Sequence, residues 1–151
     1  MLRGQPPSPE TKDYPGSIMN PHSFSETLRQ VLAERHPELQ LYLPVEDGER
    51  LYPYVLVTVT ADEEIILMNH TWECSLEIQF HSNAYELAGV SSRRYFSQLC
   101  AEMEKPELRL LLNDIAPDFY LYRIALLAVD EPQVQDESFI QSARYRVTIQ
   151  F

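Results

Sequence analysis

Thr71-Trp72-Glu73-Cys74-Ser75-Leu76-Glu77-Ile78-Gln79-Phe80-His81 is the stretch that decides the fold. Trp72, Cys74, Leu76, Ile78 and Phe80 fall on one parity; Thr71, Glu73, Ser75, Glu77, Gln79 and His81 fall on the other. A strand turns successive side chains to opposite faces, so this alternation predicts a strand with one dry face and one polar face. A second alternation closes the chain. Phe139, Ala143, Tyr145, Val147, Ile149 and Phe151 are expected to face inward, and Ser142, Arg144, Arg146, Thr148 and Gln150 outward. The chain thus ends inside a strand, with its last residue built into the sheet.

Two further segments read as strands. Leu51–Thr60 (LYPYVLVTVT) is rich in β-branched and aromatic residues, with Pro53 near its start, where a missing amide donor does least harm. Asp62-Glu63-Glu64 follows as a turn or exposed loop, and Ile65–Met68 extends the hairpin. Phe119–Val129 (FYLYRIALLAV) is apolar on both faces apart from Arg123, as expected of a strand in mid-sheet or at a subunit contact. Helices lie between the strand pairs. Ser23 and Glu26 have capping-box spacing, and Phe24, Leu28, Val31 and Leu32 form a helical stripe that Pro37 stops near His36. Ser91-Ser92 caps a second helix, with Tyr95, Phe96, Leu99, Cys100 and Met103 as its stripe. Leu108, Leu111, Leu112 and Ile115 make a short third one, opened by Pro106. Strands arriving in consecutive pairs favour antiparallel hairpins. The fold class is α+β: a mostly antiparallel sheet of about four strands with two or three helices packed on one face.

Residues 1–22 hold Pro6, Pro7, Pro9, Pro15 and Pro21 and read as an extended arm, either a tail or a segment that binds a partner. Residues 23–151 form one domain, since a chain of 151 residues has room for one comfortable core. Only four glycines are present, and no phosphate-cradling glycine motif occurs, which removes the usual nucleotide loops. The net charge of −11 and the scattering of twelve basic residues disfavour a grip on nucleic acid. Cys74 and Cys100 sit in apolar periodic stretches and are expected as reduced core residues. No apolar run approaches the ~20 residues of a membrane helix, and Met1–Pro21 lacks the apolar core of a signal peptide, so a soluble, cytosol-assembled protein is expected.

The sequence offers no catalytic, cofactor or metal site. Glu73 and Glu77 lie on one face of a strand, ~13 Å apart at a rise near 3.3 Å per residue, too far for a catalytic pair. His70 and Cys74 are separated in the same way, beyond a shared ion. What remains are interaction candidates. Arg123 is either a snorkelling side chain or one half of an ion pair across a subunit boundary. Arg144 and Arg146 can meet Glu73 and Glu77 across strands, or the same charges can pair between subunits.

The helix Ser23-Phe24-Ser25-Glu26-Thr27-Leu28, the strand Tyr52-Pro53-Tyr54-Val55-Leu56-Val57, the Trp72–Phe80 strand running into His81-Ser82-Asn83, and the closing Arg144-Tyr145-Arg146-Val147 resemble a known pattern. It is that of the tail-completion, or tail-terminator, proteins of long-tailed bacteriophages, and the resemblance covers residues 22–151. The proline-rich arm and the Leu108–Ile115 segment lie outside it. The resemblance implies a structural, non-enzymatic virion protein of the tail or neck, assembled in the host cytoplasm. Such a protein forms a ring with itself, usually a hexamer, that caps the tail tube protein and meets the head-side connector or stopper protein. DNA passes transiently through the hole. An acidic lumen repels phosphate and lets DNA slide, and Asp62, Glu63 and Glu64 are the first candidates to line it. The competing expectation is a small cytosolic adaptor that binds a partner protein through an exposed sheet edge.

Overall fold

The computed structural model describes residues 21–44, 46, 50–65, 70–83, 89–116 and 118–151, with 89–92 described by their backbone alone. All of the proposed arm except its last two residues, and the Ile66–Met68 part of the first hairpin, lie outside the described residues. The elements run α1 (Pro21–Arg35), β1 (Gln40–Tyr42), β2 (Tyr54–Glu64), β3 (Thr71–Asn83), α2 (Gly89–Met103), α3 (Pro106–Ile115), β4 (Tyr120–Val129), β5 (Gln133–Gln135) and β6 (Ser138–Gln150). They form one six-stranded sheet in the order β1-β2-β3-β6-β4, with β5 also paired to β6. Every pairing is antiparallel except β1 with β2.

The two alternating stretches become the centre of the sheet. β3 and β6 pair along their whole length, from Thr71 opposite Gln150 to Asn83 opposite Ser138. Their registers, carried on to β2, align the apolar parities in rows: Val57, Ile78 and Ala143; Val59, Leu76 and Tyr145; Ala61, Cys74 and Val147. One face of the sheet is therefore dry, and the helices cover it. Phe24, Leu28, Val31 and Leu32 of α1, Phe96, Leu99 and Met103 of α2, and Leu108 and Leu112 of α3 join these rows in a single buried cluster. Each fully buried Leu, Ile or Val contributes roughly 1.5–3 kcal/mol relative to exposure. Phe24 meets Phe119 edge to face at 5.5 Å, tying α1 to the start of β4. The carboxylate of Glu102 on α2 is buried and pairs with Arg35 at the end of α1, with Lys105 3.9 Å away. Breaking such a pair leaves a desolvated charge, so it locks the two helix ends together.

Several local expectations need correction. The sheet has six strands rather than about four, because β1 and β5 are three residues each, too short to show a period. Asp62, Glu63 and Glu64 are the end of β2, not a loop. α1 starts at Pro21, whose fixed φ suits a first turn, so Ser23 lies inside the helix. The Ser23 hydroxyl donates to Asp118 at 2.8 Å and Glu26 pairs with Arg29, so the proposed capping box does not form. α2 likewise begins at Gly89, placing Ser91 and Ser92 within it. β4 is an edge strand, not a mid-sheet one. It reads as apolar on both faces because bulges at Tyr122 and Leu127 each reset the alternation by one residue.

Leu76 is 1% exposed on the dry face, whereas Leu127 is 52% exposed on β4. Leu76→Ala is expected to lower stability in denaturant melts by ~2–5 kcal/mol, and Leu127→Ala by less than about 0.5 kcal/mol. Equal effects would mean that the dry face is misassigned.

Candidate interaction surface

Three regions of the surface carry groups that demand explanation: the polar face of the sheet, its two open edges, and an aromatic corner. On the polar face, register brings Glu73 opposite Thr148, Ser75 opposite Arg146, and Glu77 opposite Arg144. Arg146 pairs with Glu73 at 3.5 Å, and the Thr148 hydroxyl donates to the same carboxylate at 2.9 Å. Arg144 is held instead by Asp130, with Nη2 3.0 Å from Oδ1. Asp130 escaped sequence reasoning because it lies just past β4 and folds back, its amide donating to the Ser142 carbonyl at 2.9 Å. Both arginines are thus engaged within the chain. They help to set the β3–β6–β4 register and leave little charge for a partner.

The edges differ. β1 covers only Tyr54–Leu56 of β2, so residues 57–64, paired to β3 on their inner side, have no strand on their outer side among the described residues. That edge ends in Asp62, which accepts a hydrogen bond from Ser75, and in the exposed Glu63 and Glu64. At the other side of the sheet, Asn113 of α3 closes the first part of β4. The Leu121 amide donates to its Oδ1 at 2.6 Å, and its Nδ2 donates to the Leu121 carbonyl at 2.8 Å. Beyond that clasp, residues 122–129 have no strand on their outer side among the described residues and expose Tyr122 (41%), Leu126 (41%), Leu127 (52%) and Val129 (56%). Lone exposed apolar residues are ordinary, but a run of them along an open edge is a template for another chain.

Arg123 sits on this edge. It lines a cleft of about 270 Å³ together with Lys105 and Arg109 from the α2–α3 corner, Glu104, and apolar Met103, Pro106 and Ile124. Lys105 reaches Glu102 at 3.9 Å, while Arg109 and Arg123 make no ion pair among the described residues. Lys105 and Arg109 were legible only as a basic i, i+4 pair across the start of α3. A larger cleft, about 480 Å³, opens between α2 and the β4–β5 corner and is lined by Phe96, Cys100, Val129 and Gln141 among others. Gln141 is buried there with its Oε1 unpartnered.

The aromatic corner lies at the far end of the polar face. Tyr54 stacks on His81 at 4.5 Å and on Tyr52 at 5.7 Å, Tyr42 meets Tyr54 edge-on, and the Arg50 guanidinium lies 5.7 Å from the Tyr42 ring. The Tyr52 and Ser138 hydroxyls are 2.5 Å apart, joining the β2 start to the β6 start. His81 is 8% exposed and contacts Gln79 through Nε2 at 3.1 Å. Burial, and secondarily the charge of Arg50, lower its pKa.

The chemistry elsewhere is quiet. Both cysteines are free; burial pushes the Cys74 thiol up to about 11, and raises that of the half-buried Cys100. Burial also raises the Tyr145 phenol, which lies beside Cys100. Among the described residues no group of three His, Cys, Asp or Glu side chains is placed to hold a metal ion, and no helix is long and apolar enough to cross a membrane.

No protein-family model matches the chain, and no curated protein matches it. Among solved structures, one similar chain aligns with a TM-score of 0.53 at 13% identity, over 87% of this chain and 93% of the other. That likeness supports the fold.

The aromatic corner yields a pH test. A depressed folded-state pKa at His81 means that its contribution to stability is full above the ordinary imidazole value of 6.5 and is lost as pH falls through the lowered value. The thermal midpoint is expected to drop between pH 7 and pH 5 by more in the native sequence than in His81→Gln, read by calorimetry. Parallel curves would exclude His81 as the cause.

Proposed function

We propose that this chain is a structural virion protein, a tail terminator that assembles into a ring, caps the tail tube and meets the head-side connector, with DNA passing through the hole. One observation carries the reading: the apolar open edge at 122–129. A protein that works alone gains nothing from such an edge, which invites uncontrolled pairing. A protein that works as a closed ring needs an unsatisfied surface of this kind on every copy. The resemblance of residues 22–151 to tail-terminator proteins supplies the kind of ring. The acidic balance suits the hole, because a net charge of −11 repels the phosphate backbone and lets it slide. An adaptor that docks a different protein on the same edge would remain small by itself, and size in solution separates the two.

Negative-stain microscopy and sedimentation of the purified protein, with and without isolated tail tubes, test the reading. Rings with a central hole at high concentration, or seated on tube ends, are expected. A monomer at every concentration that also ignores tube ends would count decisively against it.

A further inference from the structure

We infer that neighbouring copies meet through the open edge of β4 in one and the open edge of β2 in the next, held in register by Arg123 and Arg109 against Asp62, Glu63 and Glu64. The inference rests on the ring reading and names the contact within it. It also moves the three carboxylates from the lumen, which they were the first candidates to line, to the joint between subunits.

Four observations point to this pairing. The two edges lie on opposite sides of one sheet, β2 beside β1 and β4 at the far end. A contact between them is therefore heterologous, the kind that forms a ring when its rotation closes and a filament when it does not. Their charges are opposite: among the described residues the acidic cluster has no cation in ion-pair range, and Arg109 and Arg123 have no anion in that range, although Glu104 lines their cleft. Their unpaired spans are equal, residues 57–64 on β2 beyond the cover of β1, and 122–129 on β4 beyond the Asn113 clasp. Their directions also agree. β2, β3, β6 and β4 alternate in direction across the sheet, so β2 and β4 run oppositely. Rotation about an axis roughly along the strands preserves strand direction, and β4 then meets the next copy's β2 antiparallel. Matching the spans end to end in that sense sets Arg123 beside Glu63 and Tyr122 beside Glu64. With the bulge at Leu127 stepped over, Leu126 and Val129 share the cross-sheet rows of Val59 and Val57 and bring apolar side chains to the joint. Parallel pairing with the same charge match would overlap only the first few residues of β4.

Charge reversal on each edge separately gives the test. One variant carries Arg109→Glu and Arg123→Glu; the other carries Asp62→Lys, Glu63→Lys and Glu64→Lys. Each leaves a like-charged joint, so the concentration for half-assembly should rise by about tenfold or more in each. Mixed in equal amounts, the two should co-assemble, because every joint in an alternating ring again pairs opposite charges. Circular dichroism of each variant checks that the fold is kept. If the carboxylate variant assembles normally alone, or the mixture stays dissociated, the assigned contact is wrong while the ring reading stands. If the unaltered protein never assembles, both are wrong.

Discussion

The structure depends on one pairing, β3 with β6, antiparallel from Thr71–Gln150 to Asn83–Ser138. It fuses two hairpins that would each be marginal alone into a sheet whose apolar parities coincide. A slip of one residue would turn Cys74, Leu76, Ile78 and Phe80 to the polar face and strip the helices of their cover. The ion pair of Arg146 with Glu73 and the Asp130 clasp on Arg144 work on the opposite face of the same ladder. Register is thus specified twice, once by the dry rows and once by charge. Each surface pair is weak, worth about 0–1 kcal/mol, and counts for position more than for stability.

With the centre fixed, the edges acquire their character. β3 and β6 direct their hydrogen bonds to each other and to β2 and β4, so among the described residues the sheet's unpaired backbone lies at its two sides. On one side β1 covers three residues of β2 and stops. On the other, Asn113 satisfies Leu121 and the rest of β4 is left open. β4 does carry two features that restrain careless pairing, a pair of bulges and the charge of Arg123. An edge that is apolar yet bulged and charged rejects an arbitrary strand and accepts one of matching shape and sign. Specificity of that kind combines attraction with built-in penalties against wrong partners.

Elements long enough to express a period were legible from sequence: β3, β6, the helical stripes, and the stop imposed by Pro37. β1 and β5 were not, because three residues show no alternation, and pairing to a neighbour alone makes them strands. β4 misled for a definable reason. Two bulges break its parity, so an edge strand imitated the continuous apolar run of a buried one. The carboxylates of 62–64 read as a loop from their charge, yet hydrogen bonding to β3 carries the strand through them. Of the candidate interaction residues, Arg144 and Arg146 pair within the chain with Asp130 and Glu73, while Arg123 and the acidic triplet stand at opposite open edges. Lys105, Arg109 and Asp130 were missed because only folding brings them beside Arg123 and Arg144.

If copies join as proposed, these edges are open in the single chain and closed in the assembled form. Amide hydrogen exchange followed at increasing protein concentration reads that change directly. Fast exchange is expected along the outer sides of 57–64 and 122–129 in dilute solution, with joint protection of both segments as the protein assembles. Growth in size with exchange on both segments unchanged would contradict the proposed joint.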